Sequence, residues 1–250
     1  MSQNNSVINK FFNSIKKIGG YILFLRDFYI FKSRNQTSRL SINWMNRYVC
    51  LEDKTSTTTF DRHYIYHTAW AARILAKTRP KEHTDISSYL YFSTLISAFI
   101  PIKFYDYRPA QINLNGLETQ KADILSLPFK NNSIDSLSSM HVVEHIGLGR
   151  YGDPIDPDGD LKAINELKRV FAKGGQLLFV APIGKPKIQF NAHRIYSYAQ
   201  IINYFSDLTL MDFSLITDDD YKENDFITNA SKELADQQEY GCGCFWFSKH

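Results

Sequence analysis

No glycine-rich turn follows the first expected strand of this chain. The segment there reads Asp85-Ile86-Ser87-Ser88-Tyr89-Leu90-Tyr91. A pyrophosphate ligand relies on backbone N–H groups that such a turn brings close, so its absence argues against a pyrophosphate-binding site. Cysteine is scarce: three residues, Cys50, Cys242 and Cys244. An odd number, with a Cys-x-Cys pair that cannot alone complete a four-ligand zinc site, reads as reduced structural thiols. Long apolar runs are also lacking. Segment 18–25 meets Arg26-Asp27, and segment 87–102 contains Ser and Pro. Both fall short of the ~20 residues a membrane span requires, and the first lacks a small-residue cleavage signature. Charge of one sign is missing as well. A net charge of +3 gives no case for nucleic acid. A cytoplasmic protein is expected.

What is present is enough for a sizeable core. A chain of this length buries roughly 70–75% of its unfolded surface and needs no staples. Residues 1–60 read as an N-terminal helical leader and linker, and 61–250 as one domain. In the leader, Phe11, Phe12, Ile15, Ile18, Ile22, Phe24 and Leu25 recur roughly at helical spacing, with lysines between. Such a helix either packs its apolar face on the protein or rests weakly on the inner face of a membrane. Asp61 then caps a helix running to about Lys77. From His83 onward, strands expected at 83–86, 102–105, 117–122, 134–140, 176–181, 208–216 and 244–247 alternate with helices at 90–99, 161–171 and 198–205. That alternation predicts an α/β fold: a Rossmann-like, doubly wound, mostly parallel sheet, with an antiparallel edge near the C-terminus.

In such sheets ligands sit beyond the carboxyl ends of the strands. Three acidic residues stand at successive strand ends: Asp85, Asp106 and Asp123. Asp106 lies 106 − 85 = 21 residues after Asp85, the spacing at which an acidic side chain commonly meets a ribose diol. Both carboxylate oxygens can then accept hydroxyl hydrogen bonds. Asp123 can accept from an exocyclic amine such as that of adenine. The next strand runs out into His141, Glu144 and His145, followed by the turn-rich loop GLGRYGDPIDPDG. The order H-V-V-E-H is not the H-E-x-x-H of a zinc protease, and Asp153, Asp156 and Asp158 do not form a calcium ladder. No metal site is expected. A second polar cluster, Gln189, Asn191, His193 and Arg194, follows the fifth strand.

The order of these motifs resembles the class I S-adenosylmethionine-dependent methyltransferases over about 83–216. The likeness is most specific in KADILSLPFKNNSIDSLSSMHVVEHI and ELKRVFAKGGQLLFVAPIG. More closely, DISS, FYDYRP, HVVEHIGLGRYGDPIDPDGDLKAINELKRV, FNAHRIYSY and YGCGCFWF resemble a largely uncharacterised family first catalogued from nematodes and also found in bacteria. That likeness covers most of 60–250 and brings no substrate with it. The methyltransferase resemblance implies S-adenosyl-L-methionine as cofactor. Asp106 would hold its ribose, with Asp123 and Ile124 beside adenine and His141 near the fourth strand's end. Asp85, Ser87 and Ser88 would form the first loop, where the family's Gly-x-Gly-x-Gly is replaced. Serine hydroxyls remain able to bind the methionine carboxylate, but Tyr89 is bulky.

Methyl transfer is an in-line displacement that needs alignment and, for a hydroxyl acceptor, a base. His145 is the first candidate base, with His193 and Glu144 behind it. Arg150, Asp153, Asn191 and Arg194 are candidates for holding a small polar acceptor, such as a sugar or surface-glycan precursor. Two rival readings stay open: a non-catalytic binding module on the same fold, and an enzyme using another nucleotide.

Overall fold

The computed structural model describes the backbone of residues 2–35, 39–218 and 225–250, and side chains from Lys16 onward within the first of these. The chain divides into two compact units, Met1–Phe60 and Asp61–His250. The first unit holds helix α1 (Ser2–Arg34). Phe24 and Phe28 of α1 pack on Trp44, and Lys54 pairs with Asp27 at 2.5 Å. The side chains of Phe11, Phe12 and Ile15 lie outside the described residues. Among the described residues no helix is long and apolar enough to cross a membrane.

The second unit starts with α2 (Arg62–Thr78), whose first turn is capped by the Asp61 carboxylate accepting from the Tyr64 N–H at 3.2 Å. There follow β1 (His83–Ile86), α3 (Leu90–Ile96), β2 (Ile102–Asp106), β3 (Leu117–Lys121) and β4 (Ile134–Met140). Next come α4 (Gly159–Val170), β5 (Phe171–Ile183), β6 (Lys187–Gln189), β7 (His193–Ile195) and α5 (Tyr198–Tyr204). The unit closes with β8 (Thr209–Ile216), β9 (Phe226–Thr228), α6 (Lys232–Gln237) and β10 (Gly241–Ser248).

Eight strands form one sheet in the order β3-β2-β1-β4-β5-β10-β8-β9. Strands β1 to β5 pair in parallel, β10 runs antiparallel to both β5 and β8, and β9 is an antiparallel edge. The fold is therefore the Rossmann-like sheet with an antiparallel edge that the alternation predicts. Two details differ. β10 inserts inside the sheet, and β5 begins at Phe171 instead of Gln176. The Gly174-Gly175 pair, which reads as a turn, is absorbed as an irregularity in the strand, with Gly174 at φ 75°.

Strand alternation distributes the core to both faces. Leu177, Phe179 and Ala181 pack with Ala163, Ile164 and Leu167 of α4 and with Ile201 of α5. Leu178 and Val180 pack on the other face with Trp70, Ala71, Ile74 and Leu75 of α2. The two faces hold helices against the sheet and leave its carboxyl edge to loops.

Candidate functional site

The carboxyl ends of β1, β2, β3 and β4 open into one cavity of about 310 Å³. Ser87 and Ser88 line it after β1, Asp106 at the end of β2, Asp123 and Ile124 after β3, and His141 and His145 after β4. Asp153 reaches it from the loop beyond. Tyr64, Tyr89, Tyr107, Arg108 and Tyr151 complete much of the wall. Tyr107, Arg108 and Tyr151 lie in the stretches FYDYRP and GLGRYGDPIDPDG but carry no assigned role in the cavity there. The run Arg62-His63-Tyr64-Ile65-Tyr66-His67 in the first turns of α2 was the one available signal for the Tyr64 side.

Asp106 and Asp123 are held alike. In each, Oδ1 accepts from the backbone N–H two residues on: Arg108 at 2.7 Å and Leu125 at 2.9 Å. These Asx turns fix the carboxylates at the cavity wall. Among the described residues nothing donates to Oδ2 of either. One oxygen of Asp106 is thus already engaged, whereas the spacing argument counts both for a diol.

The glycine-free first loop solves its geometry with serine. Ser87 adopts φ 55°, a left-handed conformation that costs a non-glycine residue roughly 1–2 kcal/mol. Its N–H and hydroxyl both donate to the Tyr105 carbonyl, at 2.8 and 3.1 Å. Ser88 accepts the Met140 N–H at 2.9 Å. Asp85 is fully buried and absent from the wall. Its carboxylate accepts from the hydroxyls of Ser93 and Ser138, and burial pushes its pKa up. The structure thus gives Asp85 to the support of the loop, away from the position of a ligand contact.

Beyond β4 the chain makes a short 3-10 turn, Val143–His145. His141 enters it at φ 58°, the second left-handed non-glycine residue at a strand end here. Its Nδ1 lies 2.8 Å from Glu144 Oε1. Glu144 is fully buried. Burial pushes its pKa up, but the hydrogen bond from His141 and the two neighbouring histidines pull it further down, below the usual carboxylate value. His145 Nδ1 is 2.6 Å from the Ala192 carbonyl, which can only accept, so Nδ1 donates there and Nε2 is the ring nitrogen free of that bond. That Nε2 lies 3.9 Å from Glu144 Oε1. His193 is different. It stacks on Tyr240 at 4.7 Å, does not line the cavity, and its buried Nε2 has no hydrogen-bond partner among the described residues.

Three of the expected acceptor-holding residues turn out to hold the loop. Arg194 is buried, and its guanidinium donates to the carbonyls of Ile146 at 2.6 Å and Pro157 at 3.1 Å, with longer contacts to Glu144 and Asp156. It also faces Asp160 at 3.5 Å. Asp153 lines the cavity but accepts from the N–H groups of Gly147, Gly149 and Tyr151. Burial raises its pKa and those three donors lower it further. Arg150 donates to the Ala192 carbonyl at 3.0 Å and sits outside the wall, and Asn191 lies in the exposed turn between β6 and β7.

The sheet matches the Rossmann-like fold of solved methyltransferases. The N-methyltransferase NodS of Bradyrhizobium japonicum, solved with S-adenosyl-L-homocysteine, aligns with TM-score 0.53 at 14% identity, over 75% of this chain and 87% of that one. A methyltransferase solved in complex with the Haloferax volcanii activator Trm112 aligns with TM-score 0.51 at 18% identity, over 76% and 92%. At such identities the likeness is one of fold. The family described as Caenorhabditis protein of unknown function, DUF268, matches residues 126–240, in agreement with the motifs from the fourth strand onward. No curated protein matches the chain in sequence.

Proposed function

We propose that this protein is an S-adenosylmethionine-dependent methyltransferase acting on a small polar acceptor. One observation carries the reading: four successive strand ends of this sheet meet in a single cavity, inside the roughly 300–1,000 Å³ typical of small-molecule sites. When bound there, the cofactor supplies a methyl group on a positively charged sulfur. Asp106 accepts from a ribose hydroxyl through the oxygen its own loop leaves over. Asp123 accepts from the adenine amine, and Ile124 packs beside the base. His145, which lines the cavity with Nδ1 tied to the Ala192 carbonyl, removes a proton from an acceptor hydroxyl through Nε2. The polar loop 147–159 supports a sugar or surface-glycan precursor as acceptor.

Calorimetry with S-adenosyl-L-homocysteine tests the reading. Micromolar binding is expected, weakened at least tenfold in Asp106→Ala, since losing a hydrogen bond to a charged group costs roughly 1.5–3 kcal/mol. A wild-type protein that gives no heat of binding removes the cofactor from the proposal, and an unchanged affinity in the variant removes Asp106 from the site. A non-catalytic binding module is the second reading, favoured by Ser87 and Ser88 standing where the backbone must approach a ligand. It predicts binding without transfer to any acceptor.

A further inference from the structure

Behind the cavity wall lies a cluster that the methyl-transfer reading leaves unused. His63 in the first turn of α2, His141 after β4 and Cys242 in β10 each offer one donor atom, and these atoms lie within 4.8 Å of one another. From the arrangement of donors and their supports, we propose that His63, His141 and Cys242 bind a divalent cation of the zinc class.

The chemistry of the donors fits. Imidazole and thiolate together suit a borderline-soft ion. His141 Nδ1 lies 2.8 Å from Glu144 Oε1, so Nδ1 is engaged by the carboxylate and Nε2 is the ring nitrogen turned to the cluster. That Nε2 is 3.3 Å from Cys242 Sγ, a nitrogen–sulfur separation that two ligands of one tetrahedral ion also adopt. A histidine ligand almost always donates its other N–H to a carboxylate or backbone carbonyl. Glu144 fills that role for His141, and the Tyr240 ring packs against His63 with centroids 4.9 Å apart. Glu144 Oε2 is fully buried with no partner among the described residues. The hydrogen bonds of the core alone leave that oxygen unexplained.

A second observation points the same way. His67, one turn along α2, is fully buried, and its ring lies 5.2 Å from that of His141. Its Nδ1 is 2.6 Å from the His63 carbonyl and must donate, so Nε2 is a lone pair, and it has no hydrogen-bond partner. A buried acceptor beside the cluster is at home near positive charge. Binding exchanges one proton: the Cys242 S–H bond breaks, a sulfur–metal bond forms, and the proton goes to solvent. Three protein donors leave a coordination position for water or for a heteroatom of a second ligand. His141 is shared between the cluster and the cavity.

Titration of the full chain with cobalt(II), which reports thiolate ligation by a sulfur-to-metal charge-transfer band, tests the site without any methyl donor. A band that saturates at one ion per chain is expected, displaced by zinc(II). Cys242→Ala should abolish it, and His63→Ala, in the partly exposed first turn of α2, should weaken binding at least tenfold. Cys50→Ala should leave it intact. A melting temperature raised by zinc(II) in the wild type and not in Cys242→Ala guards against a variant that merely misfolds. No band, a band unchanged in Cys242→Ala, or equal affinity in His63→Ala overturns the site. Because the readout needs no cofactor, its failure leaves the methyltransferase reading standing, and the reverse also holds.

Discussion

The two halves of the cavity are built in opposite ways. On the side of β2 and β3, Asp106 and Asp123 each stand on one local turn with an oxygen unengaged. On the side of β4, β7 and β10, polar groups are tied to one another: Glu144 to His141, His141 to Cys242, Arg194 to four carbonyls, His145 to Ala192. The first half leaves one oxygen of each carboxylate open to solvent or to a ligand. The second has completed most of its hydrogen bonds already, at the cost of burying charge that must stay paired. Substitutions in the first half should therefore read out as affinity, and in the second as rate or stability.

The largest expected effect is on chemistry. His145→Ala should slow single-turnover methyl transfer by roughly 10²–10⁴ while cofactor affinity stays within about threefold. If affinity falls with rate, the division between the halves is wrong. If neither falls, the acceptor needs no base or uses Glu144. Next comes stability. Arg194→Ala strips the donors from loop carbonyls it now holds and leaves Asp160 with the Tyr196 hydroxyl but without its ion pair, which should cost about 2–4 kcal/mol in denaturant unfolding. Arg194→Lys should recover little, because one ammonium cannot span the same carbonyls. A loss under 0.5 kcal/mol would show that the loop holds itself. Asp106→Ala, with its tenfold affinity loss, should leave unfolding within about 0.5 kcal/mol, as expected of a surface substitution.

The smallest effect is graded with pH and lies outside both halves. His83 is buried between the hydroxyls of Ser136 and Ser138, and burial lowers its pKa from 6.5 to about 3. The folded state then binds fewer protons than the unfolded state between those values. His83 costs no stability above about pH 6.5, and stability falls as pH drops from there toward 3. One group contributes at most about 1.4 kcal/mol per pH unit. His83→Gln should flatten the pH dependence between pH 6.5 and 5 by up to one proton. An equal slope in both proteins would assign the dependence to other groups.

The strands were legible because their apolar runs are bounded by charge or turn residues. His83–Ile86, Ile102–Asp106 and Ile134–Met140 fall where those runs do. The Asp106 and Asp123 pair was legible because a strand end is a position in the sequence. What escaped depends on topology. The β6–β7 hairpin and β9 are three-residue strands, too short for a period of two to register. Arg194 resembles a substrate anchor in sequence, and only the path of the loop from Glu144 to Pro157 makes it a clamp. His63, His141 and Cys242 are separated by 78 and 101 residues, so no spacing rule connects them. The sheet order does, by setting β4, β5 and β10 side by side.

The position of β10 also fixes an order of events during synthesis. Residues 241–248 pair with β5 on one side and β8 on the other, so β8 and β9 have no sheet to join until those residues have been made. A nascent chain can assemble β1 to β5 with α2, α3 and α4, and can hold the Asp106 side of the cavity, while β5 still shows an open edge. Closing that edge requires contacts distant in sequence, which form slowly. Cys242 and Tyr240 arrive with the same strand. The Asp106 side can therefore be in place on the ribosome before the histidine side has its last wall, and the exposed edge of β5 is the surface on which a stalled or truncated chain would aggregate.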